Sequence, residues 1–309
     1  MSEKIFVARK VVKRYKKTNV LNKLDMEICR GNIYGFVGRN GAGKTTLMRI
    51  LTGRARQTEG EIEIFGEKNP AKLHMQRKNI GAVVQGPAFY SNMTAKDNLE
   101  VIRLQYGIKD KGCINELLKD TGLEDTGSKK AGHFSLGMKQ RLGIAMALMG
   151  RPGLLVLDEP VNGLDPEGIL QLREILKRLN REQGITILIS SHILSELDQL
   201  ATCYGFINKG KILEQVASEE LMAKCKPYLS IRTGNVQNTT AVLKRMFPDN
   251  RLETVSNSRV NLYDFTGSTK EVVKELVLNE SDVKEIKVEG ASLERYYMSL
   301  INKEKYAGK

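Results

Sequence analysis

Between Gly38 and Thr46 the chain reads G-R-N-G-A-G-K-T-T. Gly38, Gly43, Lys44 and Thr45 occupy the fixed places of G-x-x-x-x-G-K-[ST], a loop that cradles a polyphosphate. The spacing has a physical basis. Gly38, Gly41 and Gly43 carry no Cβ, so the backbone can wrap in conformations that other residues resist. The amides of the loop, Asn40 and Thr46 included, then form a nest for negative oxygens. Lys44 offers a compact cation to the β- and γ-phosphates, and Thr45 a hydroxyl to Mg²⁺. The flanks fit as well. Ile33–Val37 is a short, mostly apolar run before the loop, and Lys44–Leu51 opens a helix after it, whose N-terminus favours an anion. A chance glycine-rich turn would lack these flanks. The sequence predicts an α/β domain that binds a nucleoside triphosphate.

A chain of 309 residues has room for one large domain and a smaller one, or for two medium ones. Its 41% hydrophobic content predicts a substantial core. No run of about 18 apolar residues occurs, so no membrane-spanning helix is expected. Met1-Ser2-Glu3-Lys4 lacks the basic and then apolar pattern of a signal peptide. Cys29, Cys113, Cys203 and Cys225 show no metal-ligand spacing and read as thiols in a reducing cytosol. The formal charge of +13 suits contact with nucleic acid, anionic lipid or an acidic protein surface. It equally suits a solvated surface, since Lys13–Lys17 and Lys129-Lys130 are the dense clusters.

In chain order, Ile5–Tyr15 and Leu21–Ile28 alternate as strands. Tyr15 ends the first in a basic turn, where its ring either stacks on an adenine base or packs at a strand end. Thr58–Gly66 reads as a turn and then a strand, and Ile80–Gln85 as a short buried strand ending in Gln85. Thr94–Tyr106 and Cys113–Thr121 have apolar residues at helical spacing, so residues from about 90 to 150 read as a helical lobe between strands. Ser135 is a good N-cap for the helix-forming run that follows. With Gly137 beside it, that helix start is a second anion site or simply a capped helix.

Leu154–Leu157 is an unbroken apolar run, as in a strand buried on both faces of a parallel sheet, and it leads into Asp158-Glu159-Pro160. Open α/β sheets place their ligands at such strand ends. Asp158 is the natural partner for Mg²⁺ held by Thr45. Alternation turns Glu159 to the opposite side of the strand, placed to act as a base on water. The alternative is a hydrated strand end. Gly163–Pro166 reads as a tight turn, Ile169–Leu179 as an amphipathic helix, and Ile185–Ile189 as a buried strand running into Ser190-Ser191-His192. His192, at the end of a core strand, reads as a phosphate contact. Phe206–Leu213 forms a hairpin about Lys209-Gly210 that closes the first domain near residue 215.

Together these motifs resemble the nucleotide-binding subunit of ATP-binding cassette (ABC) transporters. Tyr15 is similar to the family's adenine-stacking aromatic, Gly38–Thr46 to the Walker A loop and Gln85 to the Q-loop. Ser135–Arg141 is similar to the signature, Leu154–Glu159 to Walker B, Gly163–Asp165 to the D-loop and His192 to the switch histidine. The resemblance implies a P-loop NTPase fold, an ABC cassette with a mixed β-sheet core and a helical subdomain, over residues 1–215. It implies ATP and Mg²⁺ as cofactors, with Thr45, Gln85 and Asp158 at the metal. Two cassettes would close head to tail on ATP, each nucleotide lying between one chain's Walker loop and the other's Ser135, Gly137 and Asp165. Lys44 would neutralise phosphate oxygens, Glu159 orient water, His192 steady the transferred phosphoryl, and Gln85 link the metal to the helical lobe. The partner implied is a separate integral-membrane permease, which places the chain in the cytoplasm, peripheral on the inner face of the cell membrane. No specific nucleic acid is expected.

The usual L-S-G-G-Q signature here reads Phe134-Ser135-Leu136-Gly137-Met138, a form similar to the bacitracin- and lantibiotic-exporter branch. It points to export of peptide antibiotics or lipid-like substrates. The alternative is an ABC-type ATPase acting on nucleic acid or ribosomes. The basic charge favours that alternative; the single cassette without long coiled coils disfavours it. Beyond residue 215 the sequence predicts strands at Tyr228–Thr233, Leu252–Ser256, Arg259–Phe265 and Val283–Val288. Helices are predicted at Thr239–Phe247, Thr269–Asn279 and Ser292–Ile301. Without the last helix this is the β-α-β-β-α-β order of a ferredoxin-like α+β domain. Its expected role is dimer stabilisation or regulation.

Overall fold

The computed structural model describes residues 3–225, 227–265, 267–289 and 293–307, with side chains described as far as residue 302. The expectations that rest on Met1, Ser2 and Ser292 lie outside the described residues. The chain divides into two packed units, Met1–Ser218 with Glu304–Lys309, and Glu219–Lys303.

The first unit opens with β1 (Lys4–Tyr15), β2 (Thr18–Cys29), β3 (Ile33–Val37), α1 (Lys44–Leu51), β4 (Glu59–Ile64), the short α2 (Leu73–Gln76) and β5 (Ile80–Val83). Three lobe helices follow: α3 (Ala95–Gln105), α4 (Gly112–Asp120) and α5 (Leu136–Leu148). The unit then runs through β6 (Leu154–Asp158), α6 (Pro166–Gln183), β7 (Thr186–Ser191), β8 (Cys203–Asn208) and β9 (Lys211–Ala217).

Two sheets form its core. One is antiparallel in the order β2-β1-β4. The other has the order β5-β6-β7-β3-β8-β9 and is parallel except for β9. Every residue of β3 and β7 is buried, as near-continuous apolar sequence demands of strands covered on both faces. α1 touches strands of both sheets, β2 and β6. Leu47, Met48, Ile50 and Leu51 are therefore buried all round it, each such side chain contributing about 1.5–3 kcal/mol. The consequence for function is direct. The loop that begins α1 is fixed by a helix held in the main core, which also includes Phe36, Leu154, Val156 and Leu188.

The helical lobe has its own core of Leu99, Ile114, Leu118, Phe134, Leu142 and Met149. Thr94 starts α3 with a reciprocal capping box: its Oγ1 accepts from the Asp97 N–H at 3.1 Å, and Asp97 Oδ2 accepts from the Thr94 N–H at 3.2 Å.

The second unit holds most of α7 (Ser218–Lys224), then β10 (Tyr228–Thr233), α8 (Val236–Met246), β11 (Leu252–Ser256), β12 (Arg259–Tyr263), α9 (Thr269–Leu278), β13 (Val283–Glu289) and most of α10 (Leu293–Ala307). Its antiparallel sheet has the order β11-β12-β10-β13. Leu229, Ile231, Val260 and Leu262 pack against Val242, Leu243, Val272 and Leu276 of α8 and α9.

Several local expectations change. The strand expected to end in Gln85 stops at Val83; Gln85 has φ 66, a left-handed conformation that leaves the ladder. α6 is longer than Ile169–Leu179 because Asp165 caps it, Pro166 suits its first turn, and Gly184 at φ 66 ends it. α8 begins at Val236 rather than Thr239, because Asn235 accepts from the Asn238 N–H at 3.0 Å and caps the helix. β12 ends at Tyr263 rather than Phe265, and α7 is an additional helix. No helix of the described residues is long and apolar enough to cross a membrane.

Candidate functional site

The phosphate loop leaves β3 and enters α1 in the middle of the parallel sheet. Gly43 has φ 113, and a Cβ there would meet Leu21 Cδ2 at 2.7 Å. Gly38 has a different reason: a Cβ would stand 2.5 Å from Ile207 Cγ2 on β8, so close packing rather than backbone freedom demands glycine. The loop lines a cleft of about 290 Å³ with Val20, Arg39, Asn40, Gly41, Gly43, Lys44, Thr45, Thr46 and Glu159.

The ends of β6 and β7, on one side of β3, supply its chemistry. Lys44 is buried; its Nζ donates to Gly38 O at 2.6 Å and lies 3.2 Å from Glu159 Oε1. Thr45 Oγ1 donates to Asp158 Oδ2 at 2.8 Å. Glu159 Oε2 accepts from His192 Nδ1 at 2.9 Å and from Asn162 Nδ2 at 3.0 Å. The expectation that Glu159 would face away from the Asp158 side is corrected here. β6 ends at Asp158, and Glu159 takes φ 49, which breaks the alternation and swings its carboxylate to Lys44.

Ser190 completes the arrangement. It pairs with Asp158 across β6 and β7; its hydroxyl donates to Asp158 Oδ1 at 2.7 Å and accepts from the Glu159 N–H at 2.9 Å. Ser190 and Asn162 were assigned no role from sequence. For Ser190 the signal was its place at the end of a buried strand, two residues before His192. For Asn162 it was the turn that returns three residues after Glu159.

The other expected residues fall elsewhere. Ser135 caps α5, accepting from the Met138 N–H at 3.2 Å. With Gly137, Leu164 and Asp165 it lines a second cleft of about 400 Å³. Asp165 Oδ1 accepts from the Gly168 N–H at 3.0 Å and so caps α6. Tyr15 ends β1 half exposed, with Lys13 Nζ 4.8 Å from its ring centroid. Gln85 is exposed and lines a third cleft with Arg54, Pro87, Ile102 and Gly143. The structure does not bring it to the Thr45–Asp158 pair.

Among the described residues no cluster of three His, Cys, Asp or Glu side chains could hold a metal. The Thr45–Asp158 pair can hold only a cation that takes its remaining ligands from phosphate and water, which is the habit of Mg²⁺. Two neighbouring ligands about 2.1 Å from one octahedral ion stand about 3 Å apart, close to the separation seen here.

Residues 21–162 match the profile of the family described as ABC transporter. The bacitracin transport ATP-binding protein BcrA of Bacillus licheniformis is 41% identical over 94% of this chain and 95% of its own. YcbN of Bacillus subtilis (strain 168), an uncharacterized ABC transporter ATP-binding protein, is 39% identical over 94% and 95%. The lantibiotic transport ATP-binding protein SrtF of Streptococcus pyogenes is 46% identical over 65% of this chain and 86% of its own. Among solved structures, the dimeric post-hydrolysis cassette MJ0796 bound to ADP and Pi superposes with a TM-score of 0.62, at 25% identity over 69% of this chain and 98% of that one. The chain belongs to the ATP-binding proteins of ABC transporters. Its first unit is an ABC ATPase domain.

Proposed function

We propose that this chain hydrolyses Mg²⁺-ATP to drive a separate membrane permease that exports peptide antibiotics or lipid-like compounds, two copies closing head to tail around the nucleotides. The observation that carries the ATPase reading is the convergence of Lys44, Thr45, Asp158, Glu159 and His192 on one loop. The export reading is supported by the likeness to BcrA, which extends through the second unit, and to SrtF. The permease anchors the chain at the inner face of the membrane.

Lys44 turns from Glu159 to the phosphate oxygens, which bind it more strongly because they carry more charge. Thr45 and Asp158 would hold Mg²⁺, which would supply charge neutralisation to the phosphates. Glu159, released from Lys44 and held by Asn162, orients the attacking water and accepts its proton at a carboxylate oxygen. His192 keeps Nδ1 on Glu159 and offers its other ring nitrogen to the transferred phosphoryl. Tyr15 stacks on the adenine. The helix N-terminus at Ser135 and Gly137 meets the γ-phosphate of the partner's nucleotide and has a favourable contact only while that phosphate remains. Gln85 would link the metal site to the helical lobe. Residues 216–309 stabilise or regulate the dimer.

The test is Glu159→Gln with phosphate release, nucleotide binding and light scattering measured together. Retained binding, lost turnover and an ATP-dependent dimer are expected. Normal turnover in that variant sinks the assignment.

A further inference from the structure

The geometry points to Ser190 as a positioning residue that sets Asp158 and Glu159 to their two different tasks. The inference rests on the ATPase reading above and deepens it.

Asp158 and Glu159 are adjacent carboxylates, and nothing in their chemistry alone decides which oxygen faces the metal and which faces the water. The side chain that touches both residues from the neighbouring strand is Ser190, fully buried on β7. Its hydroxyl hydrogen goes to Asp158 Oδ1 at 2.7 Å, which occupies that oxygen and leaves Oδ2 for Thr45 at 2.8 Å. Its oxygen lone pair takes the Glu159 N–H at 2.9 Å. That N–H lies where β6 has ended and Glu159 has turned to φ 49, so the ladder no longer satisfies it. One hydroxyl thus fixes the rotation of the first carboxylate and supports the left-handed turn that aims the second.

Period two on β7 separates this task from its neighbours. Ser190, on the strand, and His192, one residue past its end, both reach the Asp158-Glu159 pair. Ser191, on the other face, donates to Glu196 Oε2 at 2.7 Å and accepts from the Ile193 N–H at 2.9 Å, holding the following turn. A buried serine that merely satisfied its own hydroxyl would need one acceptor. Ser190 instead uses a donor on one functional residue and an acceptor on the next.

Partners that orient a metal ligand typically change metal affinity or activity 10- to 100-fold when removed. The experiment compares the parent chain with Ser190→Ala and Ser190→Thr. Binding of a fluorescent ATP analogue is measured in EDTA and across a Mg²⁺ titration, alongside kcat, KM and the melting temperature. Ser190→Ala is expected to bind the analogue in EDTA as the parent does. It should need about 10-fold more Mg²⁺ for half-maximal enhancement of binding, and lose about 10-fold or more in kcat with KM little changed. Ser190→Thr restores the hydroxyl and should recover most of both. An unchanged Mg²⁺ titration and kcat in Ser190→Ala overturn the inference. So does an equal loss of binding in EDTA, or a failure of a stably folded Ser190→Thr to recover, because either marks a packing role alone. A parent chain that neither binds nor hydrolyses Mg²⁺-ATP overturns the ATPase reading itself and is distinguishable from these results.

Discussion

At the phosphate loop, side chains from three separate chain segments meet: Lys44 and Thr45 at the start of α1, Asp158 and Glu159 at the end of β6, Ser190 and His192 at the end of β7. The cleft at Ser135, Gly137 and Asp165 contains no such convergence. Its serine caps its own helix, its aspartate caps another, and Leu136 Cδ2 lies against Gly163, at 3.1 Å from where a Cβ would stand. Under the proposed function the first cleft binds and reacts, and the second recognises. Reaction needs charged groups whose desolvation is offset by partners, and the ends of buried parallel strands hold such groups in register. Recognition of a phosphate needs only the free N–H groups of a helix start. In the head-to-tail dimer proposed above, a reacting cleft of one copy would meet a recognising cleft of the other.

The largest test of this contrast is Glu159→Gln. General bases contribute about 10²- to 10⁴-fold, so turnover should fall by about 10³-fold while nucleotide binding persists. Asn162→Ala probes the same cleft more gently. With one hydrogen bond to Glu159 Oε2 removed, kcat should fall about 10-fold at unchanged KM, as for a lost bond to a charged group. An unaltered kcat would show that His192 alone orients the carboxylate. Ser135→Ala belongs to the recognising cleft. It should cost about 1 kcal/mol of α5 stability and weaken ATP-driven dimerisation several-fold, yet leave ATP affinity of the single chain untouched. Reduced single-chain affinity, measured by titration at a concentration below dimer formation, would erase the division between the clefts. Smallest is Tyr15→Ala, where loss of about 1 kcal/mol of stacking raises KM about fivefold without moving kcat. Tyr15→Phe should behave as the parent, and if it does not, the hydroxyl rather than the ring is in use.

The sequence is legible where a structural feature is set within a few residues of chain. The glycine spacing, the basic residue after it and the capped helix at Ser135 are local patterns, each set by backbone geometry over fewer than ten residues. Even here the reasons differed from position to position, since Gly38 is required by Ile207, a neighbour far away in sequence. The reading failed at chain ends of elements. The sequence places Gln85 at the end of β5 and Glu159 as the alternating continuation of β6, but both adopt left-handed backbone once the ladder stops. Period two describes a strand only while the ladder lasts.

The sequence by itself determined the nucleotide loop, the order of the strands and helices that carry the motifs, and the membership of the chain in its family. These follow from short-range sterics and from apolar periodicity, which any neighbouring stretch must obey. The tertiary structure alone decided that Ser190 joins Asp158 to Glu159 and that His192 reaches the carboxylate of Glu159. The contacts of Ser190 and His192 with Asp158 and Glu159 join neighbouring parallel strand ends that lie about thirty residues apart in the chain, as in Asp158 beside Ser190. Such pairing is fixed by which faces the whole core buries.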